Sequence, residues 1–103
     1  MIAMLSVSYP GHIFKQVVQA FTSPDIPKRP ESMKELSSIG YSDDTGFHSV
    51  FMFDVPDAKV ADFITLQGKR SAFCAVRAPG CNLRIQMGLT NTDAIKETMP
   101  LLP

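Results

Sequence analysis

Two periods of apolar spacing run through this chain. Ile2 to Tyr9 alternates with period two: Ala3, Leu5, Val7 and Tyr9 fall on one side, and Ile2, Met4, Ser6 and Ser8 on the other. Pro10-Gly11 ends that strand. From His12 to Phe21 the period changes. Phe14, Val17, Val18 and Phe21 recur at helical spacing, with Ile13 widening the stripe and Lys15, Gln16 and Gln19 forming the wet side. Thr22 to Glu31 carries Pro24, Pro27 and Pro30 and reads as a stiff connector. Met33 to Tyr41 is a second strand interrupted by Lys34, Glu35, Ser37 and Ser38, the pattern of a sheet edge. Asp43-Asp44-Thr45-Gly46 then makes a hairpin turn, where adjacent acids serve turn geometry and solvation better than metal binding.

Gly46 to Val55 is the most strand-like run. Phe47, Ser49, Phe51, Phe53 and Val55 share one face; His48, Val50, Met52 and Asp54 share the other. Neither face is simply polar, which predicts a central strand covered on both sides. Pro56 or Asp57 opens a second helix with Val60, Phe63 and Ile64 as its stripe, Leu66 nearby and Gly68 as its stop. Lys69 to Arg77 is ambiguous; Ala72, Phe73, Cys74 and Val76 fit a short helix under the sheet, broken by Pro79-Gly80. Asn82 to Leu89 alternates again, with Leu83, Ile85, Met87 and Leu89 opposite Asn82, Arg84, Gln86 and Gly88. Thr90 with Asp93 resembles a capping box, predicting a terminal helix over 93–99, ended by Pro100 and Pro103.

The order β-α-β-β-α-β is the split βαβ, ferredoxin-like pattern of the α+β class: a four-stranded antiparallel sheet with helices on one face. The expected lateral order is fourth, first, third, second. The helices take the apolar sides of the strands. The open face then collects Met4, Ser6 and Ser8, then His48, Val50, Met52 and Asp54, then Arg84 and Gln86. Apolar side chains dotted with hydrogen-bonding groups describe a pocket wall better than a wet surface or a dry core. Two such faces packed together give a dimeric α/β barrel with a lumen for a small organic molecule.

Composition narrows the function. A chain of 103 residues fits a single domain over 1–103, and 45% hydrophobic against 19% charged residues is globular. Ten basic residues balance ten acidic ones, so neither nucleic acid nor an anionic membrane is favoured as partner. The third strand faintly echoes an RNA-recognition motif, but Ser49 stands where a stacking aromatic belongs and no basic residue precedes Gly46. Cys74 and Cys81 lack the spacing of a zinc or redox pair and read as small, partly buried thiols. The apolar start lacks the positive region of a signal peptide, so a cytoplasmic location is expected.

The layout resembles the dimeric α/β-barrel proteins of the ferredoxin-like superfamily, and is similar to small uncharacterised bacterial members. The resembling features are a first strand ending in Tyr9-Pro10-Gly11, the Pro24 to Pro30 loop, the Gly46-Phe47 entry into the third strand and the helix at Asp57. That class includes cofactor-free oxygenases, isomerases, haem-processing enzymes and accessory proteins of natural-product pathways; for this chain the expectation is a homodimer with no cofactor, either an accessory protein of a biosynthetic pathway or a cofactor-free isomerase, cyclase or oxygenase. The resemblance brings no catalytic residue with it.

From the residues, the expected ligand contacts are Ser6, Ser8, Tyr9, His48, Met52, Asp54, Arg84 and Gln86, with no metal ligand among them. His48 is the acid–base candidate because imidazole titrates near neutrality; the alternative is a histidine held by Asp54, Ser6 or a partner chain. Arg84 either anchors an anion or pairs with Asp54 or Glu35 across the dimer. Tyr9 and Tyr41 either place hydroxyls at the pocket mouth or pack with wet tips. His12 reads as a surface or capping residue. Arg70 and Arg77 read as solvated, as does the Lys28-Arg29 pair.

Overall fold

A computed structural model describes residues 1–101. Pro103, expected to close the last helix, lies outside the described residues. The chain runs β1 (Ile2–Tyr9), α1 (Phe14–Phe21), β2 (Lys34–Asp43), β3 (Gly46–Asp54), α2 (Val60–Arg77), β4 (Asn82–Gly88) and α3 (Asn91–Thr98). Short 3₁₀ turns at Gly11–Ile13 and Asp57–Lys59 lead into α1 and α2, and a third, Met99–Leu101, follows α3. The fold is α+β with a four-stranded sheet, strands in the order β2-β3-β1-β4, each neighbouring pair antiparallel. β1 and β3 hold the two central places.

The core lies between the sheet and the α1/α2 layer. Ala3, Leu5 and Val7 alternate inward from β1, and Phe53 and the adjoining Val55 come from β3. Leu83, Ile85 and Met87 of β4 pack half-buried against them. Phe53 meets Phe63 of α2 with ring centroids 5.6 Å apart, both rings buried. Inward and outward positions follow the predicted alternation because sheet pleating leaves one face per parity.

The helices differ from expectation in two respects. In α1 the buried residues are Val17 and Ala20, with Ile13 just before it, while Phe14 and Val18 are 49% and 42% exposed. The helix rolls so that small Ala20 lets its backbone approach the body. Phe14 instead joins Tyr9 and Phe47 in an aromatic cluster at the sheet end, 6.5 and 5.5 Å away. In α2, Gly68 is not a stop: the helix continues to Arg77 and absorbs the ambiguous segment. Phe63, Gln67, Arg70 and Cys74 keep one buried side through the glycine. Burial at both ends of that side outweighs the ~1 kcal/mol that glycine costs a helix interior.

Burial of Arg70 corrects the expectation that it is solvated. It is 8% exposed and donates to the Pro27 carbonyl, fastening α2 to the proline loop. Arg29 lies in the same region, its guanidinium 4.4 Å from the Phe53 ring centroid. Desolvation first, and the neighbouring Arg70 charge second, pull its pKa down to about 10. Arg77 lies exposed, its guanidinium 3.5 Å from the Phe73 ring centroid. Cys74 and Cys81 are free and buried, and burial pushes the Cys81 thiol up to about 11.

β2 is an edge strand with every residue exposed, and a bulge between Glu35 and Ser37 makes Leu36 the extra residue. Asp44-Thr45 forms the two-residue turn between β2 and β3. Gly46 follows with φ +129°, and an added Cβ there would stand 2.3 Å from the Tyr9 carbonyl oxygen. Thr90 Oγ1 accepts from the Asp93 N–H at 3.2 Å, so the predicted cap is present and α3 begins two residues earlier than expected.

Two stability outcomes follow. Gly68→Ala has open space around its new methyl and should stabilise the fold by about 0.5–1 kcal/mol, read as a rise in Tm. Gly46→Ala combines left-handed strain with a backbone clash and should destabilise by about 3 kcal/mol or more in denaturant titration.

Candidate functional site

The sheet face away from α1 and α2 is a grid fixed by strand register. Reading from β4 to β2, one row is Asn82, Ser8, His48, Tyr41; the next is Arg84, Ser6, Val50, Ile39. Then come Gln86, Met4, Met52, Ser37 and, last, Gly88, Ile2, Asp54, Lys34. Directly paired residues of an antiparallel sheet point the same way. Seven of the eight expected ligand contacts therefore share this face: Ser6, Ser8, His48, Met52, Asp54, Arg84 and Gln86.

Tyr9 is the exception. Its position in β1 has the inward parity, and its ring stacks on Phe47 at 5.7 Å. Burial raises its phenol pKa. It joins Tyr41 and His48 only around the rim of a cleft of about 260 Å³ at the turn end of the sheet. Asp54 also departs from its expected role as a partner of His48. It stands three rows away, in the row that pairs it with Lys34. Ser6 is not a partner of His48 either.

What holds His48 is a hydrogen-bonded chain at the turn end. Ser8 Oγ lies 2.8 Å from Nδ1. Asp43 Oδ1 and Thr45 Oγ1 each lie 2.9 Å from Nε2. The Thr45 hydroxyl and its backbone N–H both donate to Asp43 Oδ1, the latter at 2.9 Å, as an Asx turn requires. The Tyr41 ring stacks on the imidazole, centroids 4.9 Å apart and planes 18° from parallel. The His48 side chain keeps 17% of its surface exposed; that of Asp43 keeps 44%. Hydrogen bonds from the Thr45 hydroxyl first, then His48, then the Thr45 N–H, lower the Asp43 carboxyl to about 2.

Asp43 and Thr45 were missed as site residues, and Tyr41, expected at the pocket mouth, stacks on His48 instead, although the sequence held a signal. A two-residue turn fixes hairpin register, so Tyr41 must face His48, and Asp43, two residues on, must share that side. Among the described residues no three His, Cys, Asp or Glu side chains gather as a metal site requires. No helix among them is long and apolar enough to cross a membrane.

No protein-family model matches the chain, and no curated protein does. A crystal structure of a DUF3240 family protein from Shewanella baltica OS155 is similar at 16% identity, covering 87% of this chain and 92% of that one, with a TM-score of 0.34.

The lowered Asp43 carboxyl sets a pH signature. Its stabilisation is complete above the ordinary carboxylate value near 3.8 and is lost as pH falls through about 2. Wild type should therefore exceed Asp43→Asn in stability at neutral pH. Acid denaturation curves should show that gap closing between about pH 4 and pH 2.

Proposed function

We propose that this chain is a ferredoxin-like βαββαβ protein that acts as a homodimer, its two open sheet faces enclosing a site for a small, largely apolar organic molecule. No cofactor is required by this reading. The observation that carries it is an excess of exposed surface. A folded monomer of 11.3 kDa is expected to expose about 5,700 Å², whereas this chain exposes 6934 Å². The excess, roughly 1,200 Å², exceeds the ~800 Å² that each partner contributes to a standard interface. Its radius of gyration, 15.7 Å, is likewise above the ~13 Å of a compact chain this long.

Part of that surplus lies on the open face. Ile39 is 63% exposed and Met52 37%. The thinnest dimension is 18 Å, the depth of one sheet and one helix layer, so the described residues form no third layer there. A second copy supplies that cover, and with a formal net charge of zero the two copies carry no overall repulsion. Between the faces, Met4, Val50 and Met52 provide apolar contact while Ser6, Ser8, His48, Arg84 and Gln86 orient a polar group. An accessory role in a biosynthetic pathway is compatible with such a site.

The His48 chain favours a second reading, a cofactor-free isomerase, cyclase or oxygenase. There His48 moves a proton and Arg84, one row on and two strands across, anchors an anionic group. An imidazole held at both nitrogens is oriented for acid–base work.

Light scattering on an eluting column should give twice 11.3 kDa at micromolar concentration, and Ile39→Lys with Met52→Lys should halve it. A wild-type monomer at that concentration would overturn the homodimer. Thermal-shift screening should then find stabilisation by apolar carboxylic acids or esters, weakened in Arg84→Gln.

A further inference from the structure

We propose that Ser8 is a nucleophile that accepts the acyl group of a small apolar ester or thioester, with His48 as its general base and Asp43 holding the imidazole in place. All three side chains belong to one chain, so this activity stands apart from the homodimer reading.

The hydrogen-bond pattern dictates which imidazole nitrogen carries the proton. At Nε2 both neighbours are acceptors. Asp43 is a carboxylate, and the Thr45 hydroxyl has already given its proton to Asp43 Oδ1. Nε2 must therefore bear the hydrogen and donate it. In the neutral imidazole that leaves a lone pair on Nδ1, 2.8 Å from Ser8 Oγ, which accepts the serine proton. Serine, histidine and aspartate thus stand in the roles of a nucleophile, its base and the base's orienter. The two ring nitrogens are exchanged relative to the serine-protease arrangement, but each role is kept.

The scaffold holds these groups firmly. Ser8 lies in β1, which is paired on both sides, so its backbone is fixed by two ladders. Tyr41 covers one face of the imidazole and limits its rotation. Asp43 is locked by the turn it builds. Rigid support of this kind is what a positioned nucleophile needs.

The surroundings select the acyl group. Beside Ser8 on β4 is Asn82, and Arg84 lies one row on, both carrying N–H donors suited to an oxyanion. On the other side, Val50 and Ile39 continue the face as apolar surface. A substrate with an apolar acyl chain fits that division.

The reaction balances without an outside oxidant or reductant. Ser8 Oγ bonds to the carbonyl carbon as its proton passes to His48 Nδ1. The carbon–oxygen or carbon–sulfur bond of the substrate breaks, and the leaving alcohol or thiol takes that proton. Water then attacks the acyl-serine, giving a proton to Nδ1. The acyl–Oγ bond breaks, Oγ recovers the proton, and a carboxylic acid departs.

The test uses the full chain and an alkyl fluorophosphonate, which bonds phosphorus to an activated serine and releases fluoride. Intact mass should show one adduct per chain, mapped by peptide sequencing to Ser8 and absent in Ser8→Ala. In His48→Gln the labelling rate should fall about a hundredfold or more. Asp43→Asn should slow it strongly too, because an amide can donate to Nε2 and turn the Nδ1 lone pair away. An unlabelled wild type, an adduct on another residue, or equal rates in wild type and folded His48→Gln would each overturn the proposal.

Discussion

Phe63 against Phe53 is the contact on which the rest of the molecule depends. Both rings are buried, and together they decide which side of the third strand is interior. Strand side chains alternate strictly, so that single choice propagates. With Phe53 inward, His48, five positions back, must face outward, and pairing then brings Ser8 and Tyr41 to the same side. The location of the polar chemistry is thus a by-product of aromatic packing on the opposite side. The strands carry both functions because each gives one parity to cohesion and the other to the site.

The second constraint is the tight turn after β2. Asp43, Thr45 and Gly46 are commonplace turn residues, chosen by backbone demands alone. Here the Asx geometry that shapes the turn also points Asp43 Oδ1 at Nε2. One carboxylate oxygen accepts from a backbone amide, a hydroxyl and an imidazole. That convergence lowers its affinity for a proton while Asp43 stays partly open to solvent.

The strands and their sides were legible in the sequence because a pleated ladder has a fixed period and each apolar side chain reports it. Ile2–Tyr9 and Asn82–Gly88 fall where the alternation places them. The helices were less legible. Gly68 reads as a stop because glycine commonly ends helices, whereas the outcome depends on Phe63 and Cys74 being buried on either side of it. Phe14 falls in the apolar stripe by its helical spacing, but the sheet end offers it Tyr9 and Phe47 instead. Arg70 was read as solvated because arginines usually are, and only the proline loop's path gives it a carbonyl to bind. For the site, the row of polar outward residues was visible by parity. Which acid holds His48 was not, since Asp54 and Asp43 both share its side and only distance along the strand separates them.

The bulge at Leu36 has a bearing on how copies of this chain meet. An uninterrupted outer strand offers a regular comb of amide and carbonyl groups onto which another strand can lie, then another, without end. In β2 the extra residue breaks the comb's spacing, and Lys34 and Glu35 stand charged beside the break. Strand-by-strand accretion along that border is discouraged. A chain whose sheet exposes Ile39, Tyr41 and Met52 is thereby steered from fibrous growth along that edge.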